Sequence, residues 1–399
     1  MKRLPGTLSV QAFNIAWSRS RDANPRTAGA PGVDWIEAPI FSSNLATHIA
    51  SLRTSIRNGS FSFSPLRLVQ VIKPSGDFRN LAIPTVRDRL LQRTLLGHME
   101  QDKKFPRPSS ISYGFHKGRT LADAQRRALE LRQSRHWVLQ ADIVRFFDMI
   151  PRDHLQKLIR RRVGTKIVAD LLCAATDCEI EASKSARQRL RDTSGIKRGL
   201  GLRQGMPVSP ALSNFLLKDF DDGLLAGGFV AIRYADDIAV FCQSEQECRS
   251  ALEVIRKGLA SLSLKVPDLA DDGKTQIRSP SEPALFLGVE IARFPEGYQL
   301  RAPTKKLKQI EERMAELTSL DLCVKERRNL GQVVRSLEAV VVGHVASMAI
   351  LDDGGDFAAR LTAAKTRAMK RLLGEILGPK AVAALTDQQL AVLGVRSFT

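Results

Sequence analysis

The run from Phe229 to Phe241, FVAIRYADDIAVF, constrains this chain more than any other segment. Two apolar stretches rich in β-branched and aromatic residues flank a short acidic turn, the pattern of a β-hairpin. Asp236 and Asp237 then stand side by side at its tip. Carboxylates at close range raise each other's pKa, so the pair is unfavourable unless a cation joins it. A hard divalent cation such as Mg²⁺ takes oxygen ligands and keeps open positions for substrate phosphates. Asp is also a common turn former, and a solvated Asp-Asp turn is the plain alternative for these two residues alone.

A third carboxylate shifts the balance. Asp142 closes the apolar strand WVLQADI, Trp137 to Ile143. Paired beside the hairpin, it would bring three carboxylates together. Two metal ions roughly 3.5 to 4 Å apart could then activate a 3′-hydroxyl and neutralise a leaving pyrophosphate, with no histidine base required. Asp148 is expected instead to cap the helix that begins near Pro151.

Charge points the same way. Lys and Arg number 61 against 42 acidic residues, a net charge of +19, and they are spread from Lys2 to Arg396. That distribution suits a groove tracking a nucleic-acid backbone better than a basic tail, although a merely soluble basic protein stays possible on charge alone. The five cysteines include no C-x-x-C pair and the six histidines do not cluster with them, so neither a disulfide framework nor a zinc site is expected. No apolar stretch reaches the roughly 18 to 20 residues of a membrane span. The start, MKRLPGTLSV, lacks an apolar signal core. The expected compartment is reducing and cytoplasmic.

At 399 residues the chain has room for two or three lobes. LRLVQVIK and FRNLAIP, on either side of Lys73 to Asp77, read as a hairpin. Val86 to Glu100 has helical spacing. From about Thr304 the chain turns into basic amphipathic helices, TKKLKQIEERMAELTS, VKERRNLGQVVRSLEAVVVGHVASMAI and FAARLTAAKTRAMKRLLGEIL. The expected class is α+β with an appended helical bundle.

These residues match a family. Arg233 to Asp237, RYADD, resembles the catalytic hairpin of reverse transcriptases. VLQADIVRFFDMIPRDHL resembles their first aspartate motif, and GLRQGMPVSPALSNFLL their substrate-positioning motif. KPSGDFRNLAIPTVRDRLLQ and SYGFHKGRT are similar to the fingers of bacterial group II intron-like enzymes, while Lys274-Thr275 and FLGVEI look like the closing palm motifs. AGAPGVD resembles the N-terminal extension of the same group. Ser209-Pro210 departs from the diversity-generating type, and the Val-Thr-Gly signature of retron enzymes is missing.

The resemblance implies a right-hand polymerase. Residues 1–136 would form the N-terminal extension and fingers, 137–302 the palm with a helical insertion around 160–200, and 303–399 a three-helix thumb and tail. Asp142, Asp236 and Asp237 would be catalytic and hold two Mg²⁺, with Mn²⁺ as substitute and the Ile143 carbonyl as a further ligand. Phe147 would be the steric gate against a 2′-hydroxyl. Lys73 and Arg79 would grip the triphosphate, and Gln204, Gly205 and Tyr234 would also face the nucleotide. Arg203, Pro210, Lys274, Lys305 and Lys306 would contact template or product. Core packing for Phe147, solvated charge for Lys73 and Arg79, and a simple turn for Gly205 are the plain readings of the same residues.

The implied function is RNA-directed DNA synthesis from dNTPs on an RNA template, with a protein partner or homo-oligomer possible. About a hundred residues follow the palm motifs and hold one cysteine and one histidine, Cys323 and His344, too few for an endonuclease. The expectation is a free-standing bacterial enzyme copying a dedicated non-coding RNA in antiphage defence. A compact intron maturase, a retron-like or CRISPR-associated enzyme, and an RNA-binding splicing cofactor with a vestigial site remain as alternatives.

Overall fold

The computed structural model describes residues 4–72, 78–102, 105–181, 195–270 and 273–395. In chain order its longer elements are α1 (Val10–Ser18), α2 (Ala38–Ser43), α3 (Leu45–Asn58), β1 (Arg67–Ile72), β2 (Phe78–Ile83), α4 (Val86–Gln101), α5 (Leu121–Ser134) and β3 (Trp137–Asp142). Next come α6 (Phe146–Met149), α7 (Arg152–Arg162), α8 (Lys166–Thr176), α9 (Ser209–Ala226), β4 (Val230–Tyr234), β5 (Asp237–Cys242) and α10 (Glu245–Ala260). The remainder holds β6 (Gln276–Arg278), β7 (Ala284–Phe286), β8 (Val289–Phe294), β9 (Gly297–Arg301) and α11 (Thr304–Leu317). The chain closes with α12 (Leu320–Lys325), α13 (Leu330–Ser347), α14 (Gly354–Leu377), α15 (Pro379–Ala383) and α16 (Asp387–Val392). The mixed class expected from the sequence is found.

Two compact units form. The first is Met1–Thr120, Leu139–Val240 and Gln246–Gln276; the second is Leu121–Val138, Phe241–Glu245 and Ile277–Thr399. The second unit therefore includes more than the helical tail, taking in α5 and the strands from β7 to β9.

In the first unit the β1/β2 hairpin is antiparallel with Val69 opposite Leu81. Leu68 and Ala82 face inward, while Val71, Ile72 and Phe78 at its tip are exposed. Thr85 starts α4 by accepting a hydrogen bond from the Asp88 N–H, the usual work of a helix N-cap. The central sheet has the order β4-β5-β3-β6. Strands β3, β4 and β5 are largely apolar because both faces are covered: Leu139, Ala141, Ile232, Ile238, Ala239 and Val240 are all buried. Helix α9 packs on β4.

In the second unit β7, β8 and β9 form an antiparallel sheet, with Ala284 opposite Ile291 and Arg293 opposite Tyr298. Helix α5 lies against it, Arg132 donating to the Ile291 carbonyl at 2.7 Å and Gln133 to that of Tyr298 at 2.8 Å. Helices α11, α13 and α14 pack on one another. The helical stretch read from Val324 onward is split. Arg327 adopts φ 53, and Asn329 then opens α13 with a capping box closed by Gln332; reciprocal capping makes that break stable.

Asp148 does not cap α7. It lies within the short α6 and pairs with Arg145 at 3.4 Å, and the N-cap of α7 is Pro151, which has no capping side chain. All five cysteines are buried and form no disulfide. Among the described residues no helix is long and apolar enough to cross a membrane.

Candidate active site

Hairpin β4/β5 turns at Ala235 and Asp236. Ala235 has φ 58, the left-handed region that a non-glycine residue enters only when its surroundings impose it. Arg233 supplies much of that imposition. Its side chain is fully buried, and each of the five guanidinium N–H groups has a partner. Nε and Nη2 donate to the two Asp221 carboxylate oxygens at 2.6 Å each. Nη1 donates to Asn214 Oδ1 at 3.1 Å and to the Ala235 carbonyl at 2.9 Å. Nη2 also donates to Ser112 Oγ at 3.0 Å.

The segment Ile111–Gly114 runs beside β4. Arg233 N–H donates to the Ile111 carbonyl and Tyr113 N–H to that of Arg233, both at 2.8 Å. A β-carbon at Gly114 would come within 2.5 Å of the Ala235 nitrogen. Only glycine lets these two backbones approach so closely.

On the other side, strand order places β3 next to β5. Just past the end of β3, Ile143 N–H donates to the Asp236 carbonyl at 3.2 Å. The structure thus brings Asp142, Ile143, Asp236 and Asp237 into one corner. Burial, then the Asp142 charge, holds the Asp236 carboxyl above its ordinary range. Asp237 is an exposed residue, yet its carboxyl is pushed up to about 6 by desolvation, then by the Asp236 and Asp142 charges, against the pull of Lys274. Lys274 donates to Asp142, and that hydrogen bond is the main cause of its raised pKa.

Among the described residues no three His, Cys, Asp or Glu side chains form a ready-made metal cage. Lys274, hydrogen-bonded to Asp142, supplies the one cation drawn to these carboxylates in the electrostatics of both Asp236 and Asp237. The donors are carboxylate oxygens that destabilise one another, which is the set a hard divalent cation stabilises.

Phe147 follows in α6. It is half-buried, and the Phe115 ring stands edge-on to it with centroids 6.2 Å apart. The loop before α9 threads beneath. Leu202 N–H donates to the Phe147 carbonyl, and Ala82 N–H on β2 donates to that of Gln204, each at 2.7 Å. Gly201 (φ 80) and Gly205 (φ 107) make those approaches possible. A β-carbon would meet Asp148 O at 2.5 Å at the first and Ala82 O at 2.7 Å at the second. Phe147, the Gln204–Gly205 turn and β2, which carries the exposed Arg79, are therefore tied together by backbone hydrogen bonds. Tyr234, half-buried, ends β4 immediately before the turn. Lys73 lies outside the described residues.

Pro210 stands in the first turn of α9 and lines a cleft of about 430 Å³ together with Phe105, Phe115, Lys117 and Lys218. Lys305 and Lys306 sit in the first turn of α11 in the second unit, Lys305 exposed. Arg203 corrects the sequence reading. Its guanidinium is buried and donates to Glu179 at 2.7 Å and to the Lys197 and Leu200 carbonyls. It ties down the loop from inside and presents no charge to an outside strand. Sequence reasoning missed Arg233, Asn214, Asp221 and Ser112 as parts of the site. The available signal was an arginine inside an otherwise apolar strand, which needs a buried partner.

The family model for reverse transcriptase (RNA-dependent DNA polymerase) matches residues 71–291, the span that holds every group in this corner. Protein YkfC of Escherichia coli (strain K12) is 26% identical over 309 residues, 67% of this chain and 77% of that protein. A putative COX1/OXI3 intron 1 protein of Saccharomyces cerevisiae is 28% identical over 181 residues, 44% of this chain. The corresponding intron 2 protein is 28% identical over 179 residues. The chain spans 20% and 19% of the length of those two yeast proteins.

Proposed function

Because the chain belongs to the reverse transcriptase family, we propose that it copies RNA into DNA by nucleotidyl transfer at the corner built from Asp142, Asp236 and Asp237. The observation carrying this reading is the locked turn: Arg233 fixes Ala235, and Ile143 N–H fixes Asp236 beside the end of β3. Asp142, Asp236 and Asp237, with the Ile143 carbonyl, would hold two divalent cations, Mg²⁺ or Mn²⁺. When bound, such cations supply a more acidic primer 3′-hydroxyl and charge neutralisation at the leaving pyrophosphate.

The protein's own groups do the positioning. The Phe147 ring, braced by Phe115 and by Leu202 N–H on its carbonyl, walls the sugar side and excludes a 2′-hydroxyl. Gln204 and Gly205 form the floor under the incoming base, with Tyr234 beside the acidic turn. Arg79, with Lys73, grips the triphosphate, for which a guanidinium fork is well suited. Pro210, Lys117 and Lys218 face template in their cleft, and Lys305 and Lys306 meet duplex backbone. The right-hand arrangement of fingers, palm and helical thumb is part of the same proposal.

The test is primer extension on poly(rA)/oligo(dT) with dTTP and Mg²⁺. Wild type extends the primer, and Asp236→Ala plus Asp237→Ala reduces extension to background. Equal incorporation by both proteins would remove the reading, as would RNA binding with no extension on any template.

For the cellular role we propose a free-standing enzyme that copies a dedicated structured RNA in antiphage defence. Similarity to proteins named for introns favours a second reading, a compact intron maturase. RNA sequenced after co-purification separates them: one non-coding transcript supports the first, intron boundaries the second.

A further inference from the structure

Arg145 opens α6, the short helix that carries Phe147, and it does so at φ 47. A non-glycine residue enters this left-handed region at a cost and stays only where contacts hold it. The Arg145 carbonyl accepts the N–H of Asp148 at 2.9 Å and that of Met149 at 3.1 Å, so the bend at Arg145 sets where α6 begins. Its side chain is half in solvent, yet Nη2 donates to the Gly195 carbonyl at 2.8 Å. Asp148, 3.4 Å from the same nitrogen, is the weaker partner. Gly195 is itself left-handed, φ 67, and a β-carbon there would stand 3.2 Å from Arg145 Nη2.

That bond is one end of a seam between residues 145–152 and the loop 195–202. Leu202 N–H donates to the Phe147 carbonyl at 2.7 Å and Gly201 N–H to that of Ile150 at 2.8 Å. Pro151 bridges to Leu200, and Arg152 Nε donates to the Gly201 carbonyl at 2.8 Å. Phe147 thus lies between fasteners, with Arg145 on the side that faces Asp142 in the chain. Glycine is the default residue at such a φ. The arginine is explained by what its guanidinium reaches.

We infer that Arg145 is a positioning residue for sugar discrimination: by holding the Gly195 carbonyl it fixes the start of α6, and with it the direction of the Phe147 ring. The inference rests on the reading of Phe147 as the gate. A change of φ at residue 145 turns everything that follows it, so a loosened Arg145 lets the ring swing away from the sugar.

Steady-state incorporation of dTTP against UTP on poly(rA)/oligo(dT) tests this, with thermal melts beside it. Arg145→Gly suits the left-handed backbone and loses the tie. Its melt stays near wild type, because relieved strain offsets the lost bond, while its preference for dTTP falls about fivefold, the worth of one hydrogen bond. Arg145→Lys reaches the same carbonyl with an ammonium and keeps most of the preference. Gly195→Ala crowds the bond from the other side and shifts the ratio the same way. The double variant, Arg145→Gly with Gly195→Ala, adds nothing further, since both changes act through one contact. An unchanged ratio in Arg145→Gly, with wild type extending the primer, overturns the role. A double-variant shift equal to the sum of the two single ones does so as well. A wild type inert with both nucleotides removes the polymerase reading first, and this role with it.

Discussion

In the hairpin that carries Asp236 and Asp237, Arg233 donates to the carbonyl of Ala235, two residues ahead in the same chain segment, at 2.9 Å. The side chain of one strand residue thus closes its own turn. Ala235 is left at φ 58, a conformation that persists only when neighbours over-determine it. Asp221 and Asn214 on α9 and Ser112 beside β4 fix the guanidinium from two other parts of the chain.

Arg233→Lys keeps the charge but loses the planar fork. The expected result is a fall in kcat with KM for template-primer little changed, and a higher Mg²⁺ requirement. Arg233→Met leaves Asp221 buried without its partner and should cost about 3–5 kcal/mol of stability in a denaturant titration. A lysine variant with wild-type kcat would show that the clamp does not position the turn.

Asp237 gives a pH signature. Its folded pKa, about 6, is raised above the ordinary 3.8, so the folded chain holds this proton more tightly than the unfolded chain. The stability this group contributes is fully present below about pH 4 and is lost as pH rises through about 6. In buffer free of divalent cations, Asp237→Asn should melt higher than wild type near neutral pH, and the difference should vanish in acid. Added Mg²⁺ should raise the wild-type melt more than that of the variant. A variant no more stable at neutral pH contradicts the crowding of carboxylates.

Gly201→Ala and Gly205→Ala each place a β-carbon against backbone at positive φ. Each should destabilise by about 1–3 kcal/mol. Because Leu202 N–H holds the Phe147 carbonyl, the Gly201 variant should also relax sugar discrimination. Steady-state incorporation of dTTP against UTP reads this, and an unchanged ratio would separate the loop from the gate.

Phe147→Ala should raise ribonucleotide use by about tenfold or more, the scale on which apolar pockets discriminate. Phe115→Ala should produce a smaller shift in the same direction, since that ring stands edge-on against Phe147. No change in either variant would leave both rings as core packing.

The placement of Asp236 and Asp237 at a hairpin turn and of Asp142 at a strand end was legible because local pattern carries it: apolar runs flank the pair, and Asp142 closes a third. The same holds for β1/β2 and α4, whose signals lie within a few residues. Arg233 was not legible, because its partners stand 12, 19 and 121 residues away in sequence. Arg203 was misjudged for the same reason, its partner Glu179 lying 24 residues back. A motif shows that an arginine is there, and only tertiary pairing shows which way it points. Asp148 failed differently: a cap was expected, but the short α6 took up the residue before α7 began.

Arg132 on α5 reaches across 159 residues of sequence to the Ile291 carbonyl. On a ribosome adding about 5–20 residues per second, α5 emerges on the order of ten seconds or more before that strand exists. For that interval a guanidinium destined for burial stays in water, and the apolar face of α5 has no sheet to cover. A fragment beginning at Ile277 would inherit the opposite defect, strands without the helix that seals them. The second unit is therefore assembled from stretches far apart in the chain, and a C-terminal piece cut at Ile277 would leave behind the helix that its sheet packs against.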